Sequence, residues 1–182
     1  MENDSPVNDV KTPTVHSLIN TARAILEKIS YRDLAEVKQL TRPPLLMTLV
    51  FCCVLALKPT GQENFRDGWR GAQVMLSDPN ILSHLRNYTD IMQERCTPRM
   101  ITRVNKILNH ESDQARTDRY LVGEKGVNNV KDRNVASGHI LEWVQTIVYL
   151  HILMKSELEP SSTDPVQRDS EEKNSEANAL NS

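Results

Sequence analysis

Residues Glu36–Thr60 read EVKQLTRPPLLMTLVFCCVLALKPT: a charged helix-like segment, two adjacent prolines, then 13 almost wholly apolar residues before the next Lys-Pro. Proline has no backbone N–H to give a helix interior, and it pushes the residue before it out of helical geometry. Arg42-Pro43-Pro44 therefore ends a helix running from Tyr31 or Asp33 to Thr41 and starts a second, Pro44 to Leu57, in a new direction. The second helix is apolar nearly all round. Crossing a bilayer takes roughly 20 such residues, so the run predicts a buried spine for other helices, not a membrane anchor.

On either side of this spine lie two short heptad seams. In TVHSLINTARAILEKI, Val15, Ile19, Ala22, Leu26 and Ile29 follow spacings of 4, 3, 4, 3. In HILEWVQTIVYLHILM, Ile140, Trp143, Ile147, Leu150 and Met154 follow 3, 4, 3, 4. Neither is long enough to stand alone in water, so each predicts the other as an antiparallel partner. Aromatic residues make up only 4% of the 182 residues and there are 6 glycines, a composition that favours helices over a sandwich or barrel. The expected fold is all-α: a small helical bundle head on a short antiparallel coiled-coil base.

Between the seams, KPTGQEN is a loop, and a helix after it carries Phe65, Trp69, Ala72 and Leu76 on one face with Arg66, Arg70 and Gln73 on the other. A short helix with Ile81, Leu82 and Leu85 follows SDPN. CTPRMITRVNKILN begins with Thr97 as N-cap and Pro98 at the first helical position. There Ile101, Val104 and Leu108 face inward while Arg99, Arg103 and Lys106 line the opposite side. Residues 109–133 show no sustained period and read as a loop insertion. Residues 1–12 read as a disordered leader and 155–182 as a disordered acidic tail, leaving 13–154 as the folded domain.

Charge is unevenly spread. The chain has a net charge of −2, yet Ser30–His110 holds 11 basic and seven acidic side chains, whereas Lys155–Ser182 holds three basic and seven acidic. A basic middle predicts an anionic partner. The N-terminus has neither the apolar core of a signal peptide nor the arginines of a transit segment. Cys52, Cys53 and Cys96 have no metal-binding or CxxC spacing and read as reduced core residues of a cytoplasmic protein.

The order of these motifs resembles the microtubule-binding tip of the dynein heavy-chain stalk. In that family a coiled-coil strand leads into a D-[IL]-x-E-V-[KR] helix, then Pro-Pro, an apolar helix and a Lys-Pro; DLAEVKQLTRPP, LLMTLVFCCVLAL and KPT stand here in that order. DGWRGAQVMLSDPNILSHLRNY is similar to the family's Trp-containing helix and the short helix after it, and VASGHILEWVQTIVYL to the start of its second coil. The resemblance spans about residues 14–111 and 134–154, and the apolar helix, Trp69 and Trp143 make it closer to axonemal than to cytoplasmic heavy chains. Three departures stand out. Thr41 occupies a position where the family commonly has a second lysine, residues 112–133 are longer than the usual connection, and the seams are far shorter than a full stalk.

The resemblance implies a non-catalytic module that meets the acidic surface of tubulin. The cations it points to are Lys38, Arg42, Arg66, Arg70, Arg99, Arg103 and Lys106, with the first and last tip helices side by side. It implies microtubules as partner, together with other dynein-complex subunits, and a place on the cytoskeleton or ciliary axoneme. The departures leave a rival: a diverged or truncated tip acting as an interaction scaffold. Residue chemistry points away from catalysis. GEKG at Gly123–Gly126 lacks the spacing and preceding strand of a phosphate loop, and His16, His84, His110, His139 and His151 form no paired ligand set. His139 and Glu142, three apart, predict a surface contact. No cofactor, metal, nucleic-acid partner or membrane is expected; the chain is acidic overall, aromatic-poor and without an RNP-like or zinc-finger pattern.

Overall fold

The double proline divides two helices as expected. In the computed structural model, which describes residues 12–109 and 121–158, α1 (Val15–Glu27) and α2 (Tyr31–Lys38) precede the break and α3 (Leu45–Leu57) follows it. Thr14 and Ser30 begin α1 and α2 with reciprocal capping boxes, in which Ser17 and Asp33 answer from the third helical position. Two boundaries differ from expectation. The helix before the break ends at Lys38 rather than Thr41, because Pro43 disfavours helical geometry at Arg42 and the chain must open before it. Pro44 is the extended residue that caps α3, with ψ at 146°, rather than its first helical residue.

α3 has nine of its 13 residues buried, which makes it the spine. It ends at Lys58, whose φ of 53° is left-handed, a conformation common at helix ends but unusual for a side chain with a Cβ. A 3₁₀ turn (Phe65–Asp67) then leads into α4 (Gly68–Met75), α5 (Ile81–Arg95), α6 (Pro98–Leu108), α7 (Gly123–Lys131) and α8 (Val135–Leu158). The described residues hold eight α-helices and no strand, an all-α fold. No helix among them is long and apolar enough to cross a membrane.

The two seams meet. α1 packs along α8, burying Ala22, Leu26 and Ile29 against Ile140, Trp143, Ile147 and Leu150, with Val15, Ile19 and Met154 partly covered. Lys28, just past the end of α1, acts on Glu142 near the start of α8, so the pair runs antiparallel. The base is not separable from the head, however. α8 also packs on α7, α3 and α5, so its first half is enclosed and serves as a second spine beside α3.

α7 corrects the reading of 109–133 as a loop. Gly123–Lys131 is helical and buries Val127 and Val130 on α8, while residues 110–120 lie outside the described part. Its apolar contacts number too few to set up a period, and its glycines disguise it. Gly126 is there for space: a Cβ would stand 2.2 Å from the Leu121 carbonyl carbon. Gln145 of α8 donates to the carbonyls of Leu121 at 2.8 Å and Gly123 at 3.2 Å, fastening the approach to α7. The helix after SDPN is also longer than expected, 15 residues with a bend at Ile91 (φ −111°, ψ 15°). α8 continues as helix to Leu158; the expected leader and tail otherwise fall outside the described residues.

Candidate functional site

α2 is only eight residues long; the Gln39 and Leu40 N–H groups serve the carbonyls of Glu36 and Val37, leaving those of Lys38 and, just past the helix, Leu40 without backbone partners. Side chains of α4 supply them. Trp69 donates its indole N–H to the Leu40 carbonyl at 2.8 Å, and Gln73 donates its amide to the carbonyls of Lys38 at 3.0 Å and Leu40 at 3.4 Å. The Trp69 ring meets Phe51 of α3 edge-on, with centroids 5.8 Å apart. Lys38 and exposed Arg42 are thus held on a chain end anchored through α4 to the spine. Gln73, expected on the outer face, is a clamp. Around Arg42 the apolar side chains of Leu40 and Leu45 are 37% and 49% exposed, so the corner offers both charge and greasy surface.

The second group of cations sits on α6. Thr97 accepts the Met100 N–H at 3.3 Å, Pro98 follows, and Ile101, Val104 and Leu108 bury against α3 as the periodicity predicts. Arg99 and Lys106 are exposed. Arg103 is half-buried because its guanidinium lies over the Phe65 ring, 4.8 Å from the centroid, with Arg66 near the same ring at 6.0 Å. Such contacts hold a cation in place without neutralising it. α2 and α6 are not a packed pair. What joins their cations is the segment between, Phe65 on one side and Trp69 with Gln73 on the other. Those three roles need tertiary structure and have no signature in sequence.

Arg70 stands apart. It points along a groove shared with the carboxylates of Glu63, Asp67 and Asp78. None of the seven cations forms an ion pair with a described carboxylate. The described ion pairs lie elsewhere: Arg23 with Asp90 at 2.9 Å, Arg32 with Glu36 at 3.3 Å, His84 with Asp78 at 3.1 Å, and Glu142 with Lys131 at 3.4 Å and His139 at 3.3 Å.

The His139–Glu142 contact is therefore present, but as part of a junction of three helices rather than a surface pair. Burial pushes the Glu142 carboxyl up; the His139 hydrogen bond and the charges of Lys131 and Lys28 outweigh it, and the group ends below the usual carboxylate range. Cys53 and Cys96 are buried and Cys52 half-buried, all free thiols, and burial pushes each one up, away from thiolate chemistry. GEKG forms the start of α7 rather than a loop. Among the described residues no three His, Cys, Asp or Glu side chains group to hold a metal ion. No protein-family model matches the chain, and no curated protein matches it.

Proposed function

We propose that this chain is a microtubule-binding module of the kind that tips the dynein heavy-chain stalk, with no motor or ATPase activity of its own. One observation carries the reading. Lys38, Arg42, Arg66, Arg99, Arg103 and Lys106 lack acidic partners in the described structure, yet their elements are tied together by Trp69, Gln73 and Phe65. Cations left unpaired on a rigid frame suit an extended acidic surface better than they suit solvent alone. Tubulin is such a surface, and Leu40 and Leu45 beside Arg42 add apolar contact that salt does not screen. The order of sequence motifs supports the same reading. It implies a cytoskeletal location, on cytoplasmic microtubules or the ciliary axoneme.

Co-sedimentation with microtubules at two salt concentrations tests it. Exposed charge pairs are each worth about 0.2–1 kcal/mol, so no single cation should dominate. Lys38→Glu with Arg99→Glu should remove most of the pelleting at low salt while helicity stays unchanged. Arg99 suits the test better than Arg103, because it is exposed and makes none of the ring contacts that fix Arg103. Unchanged pelleting of the double variant would reject this face. Absence of wild-type pelleting even at low salt would reject the module and favour a non-catalytic interaction scaffold.

A further inference from the structure

The basic face leaves unused a groove on the other flank of α4, between that helix and the loop after α3. It encloses about 570 Å³. Its floor is apolar, made by Leu55 of the spine and Met75, both buried. Gly71 opens it: a Cβ there would come within 2.7 Å of the Asp67 Cβ and 3.3 Å of a Leu55 methyl. Val74 stands at the lip and is 70% exposed, the most exposed large aliphatic side chain among the described residues.

The rim is anionic and partly built. Thr60 donates its hydroxyl at 2.7 Å and its N–H at 3.1 Å to the same Glu63 oxygen, so that carboxylate is fixed at the groove edge. Asp67 receives one long hydrogen bond, 3.4 Å, from Asn64. Asp78 is engaged by the Asn80 N–H at 2.8 Å and by His84 at 3.1 Å. Against three carboxylates the lining offers Arg70 as its one fixed positive charge, and no described Lys or Arg is ion-paired to Glu63 or Asp67.

We infer that this groove is a docking site for an extended segment of another protein that presents an aliphatic side chain and, two residues on and so on the same face, a lysine or arginine. The aliphatic group enters over Leu55 and Met75 beside Val74, and the cation meets Asp67 and Glu63. A purely acidic surface would accept any polycation; a purely apolar slot would not need fixed carboxylates. The site asks for both on one face of its ligand, the opposite charge preference to the basic face. The inference does not depend on microtubule binding.

The test uses the full chain and a labelled octapeptide repeating Leu-Gly-Lys-Gly, which puts Leu and Lys on one face when extended, with a Gly-Lys control in which glycine replaces every Leu and a Gly-Leu control in which it replaces every Lys. Fluorescence anisotropy should show saturable binding of the Leu-Lys peptide, and at least about tenfold weaker binding of the other two, a difference of 1.4 kcal/mol. Val74→Lys and Asp67→Asn should each weaken it by a similar factor with the circular dichroism spectrum unchanged, whereas Arg99→Glu should leave it unaltered. Equal binding of the Gly-Lys peptide would reduce the groove to a general acidic patch and overturn the inference. So would indifference to both groove variants. Failure of the wild type to bind the Leu-Lys peptide would overturn it as well. Concentration-dependent self-association abolished by Val74→Lys would refute it in favour of a second copy.

Discussion

Trp143 is the largest side chain with no exposure, and it is wired to α5 by one polar bond. Its indole N–H donates to the Thr89 hydroxyl at 2.9 Å, and that hydroxyl donates in turn to the Leu85 carbonyl at 2.9 Å. Tyr88 stands edge-on to the indole, centroids 6.1 Å apart. Thr89 is 0% exposed, so neither end of the Trp–Thr bond can turn to water when the other is removed. Trp143→Phe keeps a ring but loses the donor and opens a gap. Full truncation of a buried Trp costs about 3–5 kcal/mol, and the smaller change should cost about 2–3 kcal/mol, cavity and lost bond together. Thr89→Val preserves shape and strands the indole N–H, which should cost about 1–3 kcal/mol. The Leu85 carbonyl keeps its helical partner and adds little.

The double variant separates these terms. With both polar partners gone, no buried donor is left unsatisfied, so its loss should fall short of the sum of the singles by about 1–2 kcal/mol. Urea melts of all four proteins, with unchanged m-values, would measure that coupling as a shift in midpoints. Additivity within experimental error would refute the bond as a stabilising contact. A loss larger than the sum would mean that each side chain compensates for removal of the other.

The Glu142 junction predicts a pH effect of definite sign. A carboxyl whose folded pKa lies below its ordinary 4.5 adds stability above that value and loses it as pH falls through the lowered folded value. The stability gap between wild type and Glu142→Gln should therefore be largest near pH 6 and shrink below 4.5, by at most about 1 kcal/mol for a partly exposed group; a constant gap from pH 6 to 3 would contradict it. Gly126→Ala should cost about 1–3 kcal/mol of stability, read as a lower urea midpoint, since its methyl would collide with the Leu121 backbone. An unchanged midpoint would mean that the Leu121 backbone does not pack against Gly126. Hydrogen exchange should slow sharply from Ile152, 53% exposed, inward to Leu150, Ile147 and Trp143, all 0% exposed; uniform exchange along α8 would refute this gradient.

The parts of the fold that the sequence discloses are those where local chemistry and burial agree. The 13-residue apolar run could only be a core helix, the double proline could only divide it from α2, and Thr97-Pro98 could only begin α6. α7 failed that test because its burial depends on Gly126 being small, not on apolar residues recurring. α8 was half legible. Its seam toward α1 follows a heptad, but Leu141, Val144 and Val148, buried toward other helices, carry no message about which helix they meet. The cations were visible as charges. Their scaffolding was not, because Phe65, Trp69 and Gln73 looked like ordinary members of one amphipathic helix until the chain folded back on Leu40 and Arg103. The groove was invisible for the same reason, since Leu55, Glu63, Asp67 and Asp78 share no pattern along the chain.

Stability and candidate function occupy different parts of this molecule. The buried polar bond, the edge-on aromatic pair and the α1–α8 seam cluster where α8 crosses α5 and α1. The cations of the basic face project from α6, the Arg42 corner and the 3₁₀ turn, and none of them is fully buried. Reversing Arg99 or Lys106 should thus change binding with little change in folding. Arg103 is the exception: its charge faces the proposed partner, while its stack on Phe65 also helps hold the turn against α6. A lysine at 103 would keep the charge but lose the flat guanidinium that lies over the ring. That substitution therefore asks whether the frame or the charge matters more. If the frame does, Arg103→Lys will weaken binding in proportion to any loosening of the 65–75 segment; if charge alone does, the variant will bind as the wild type does.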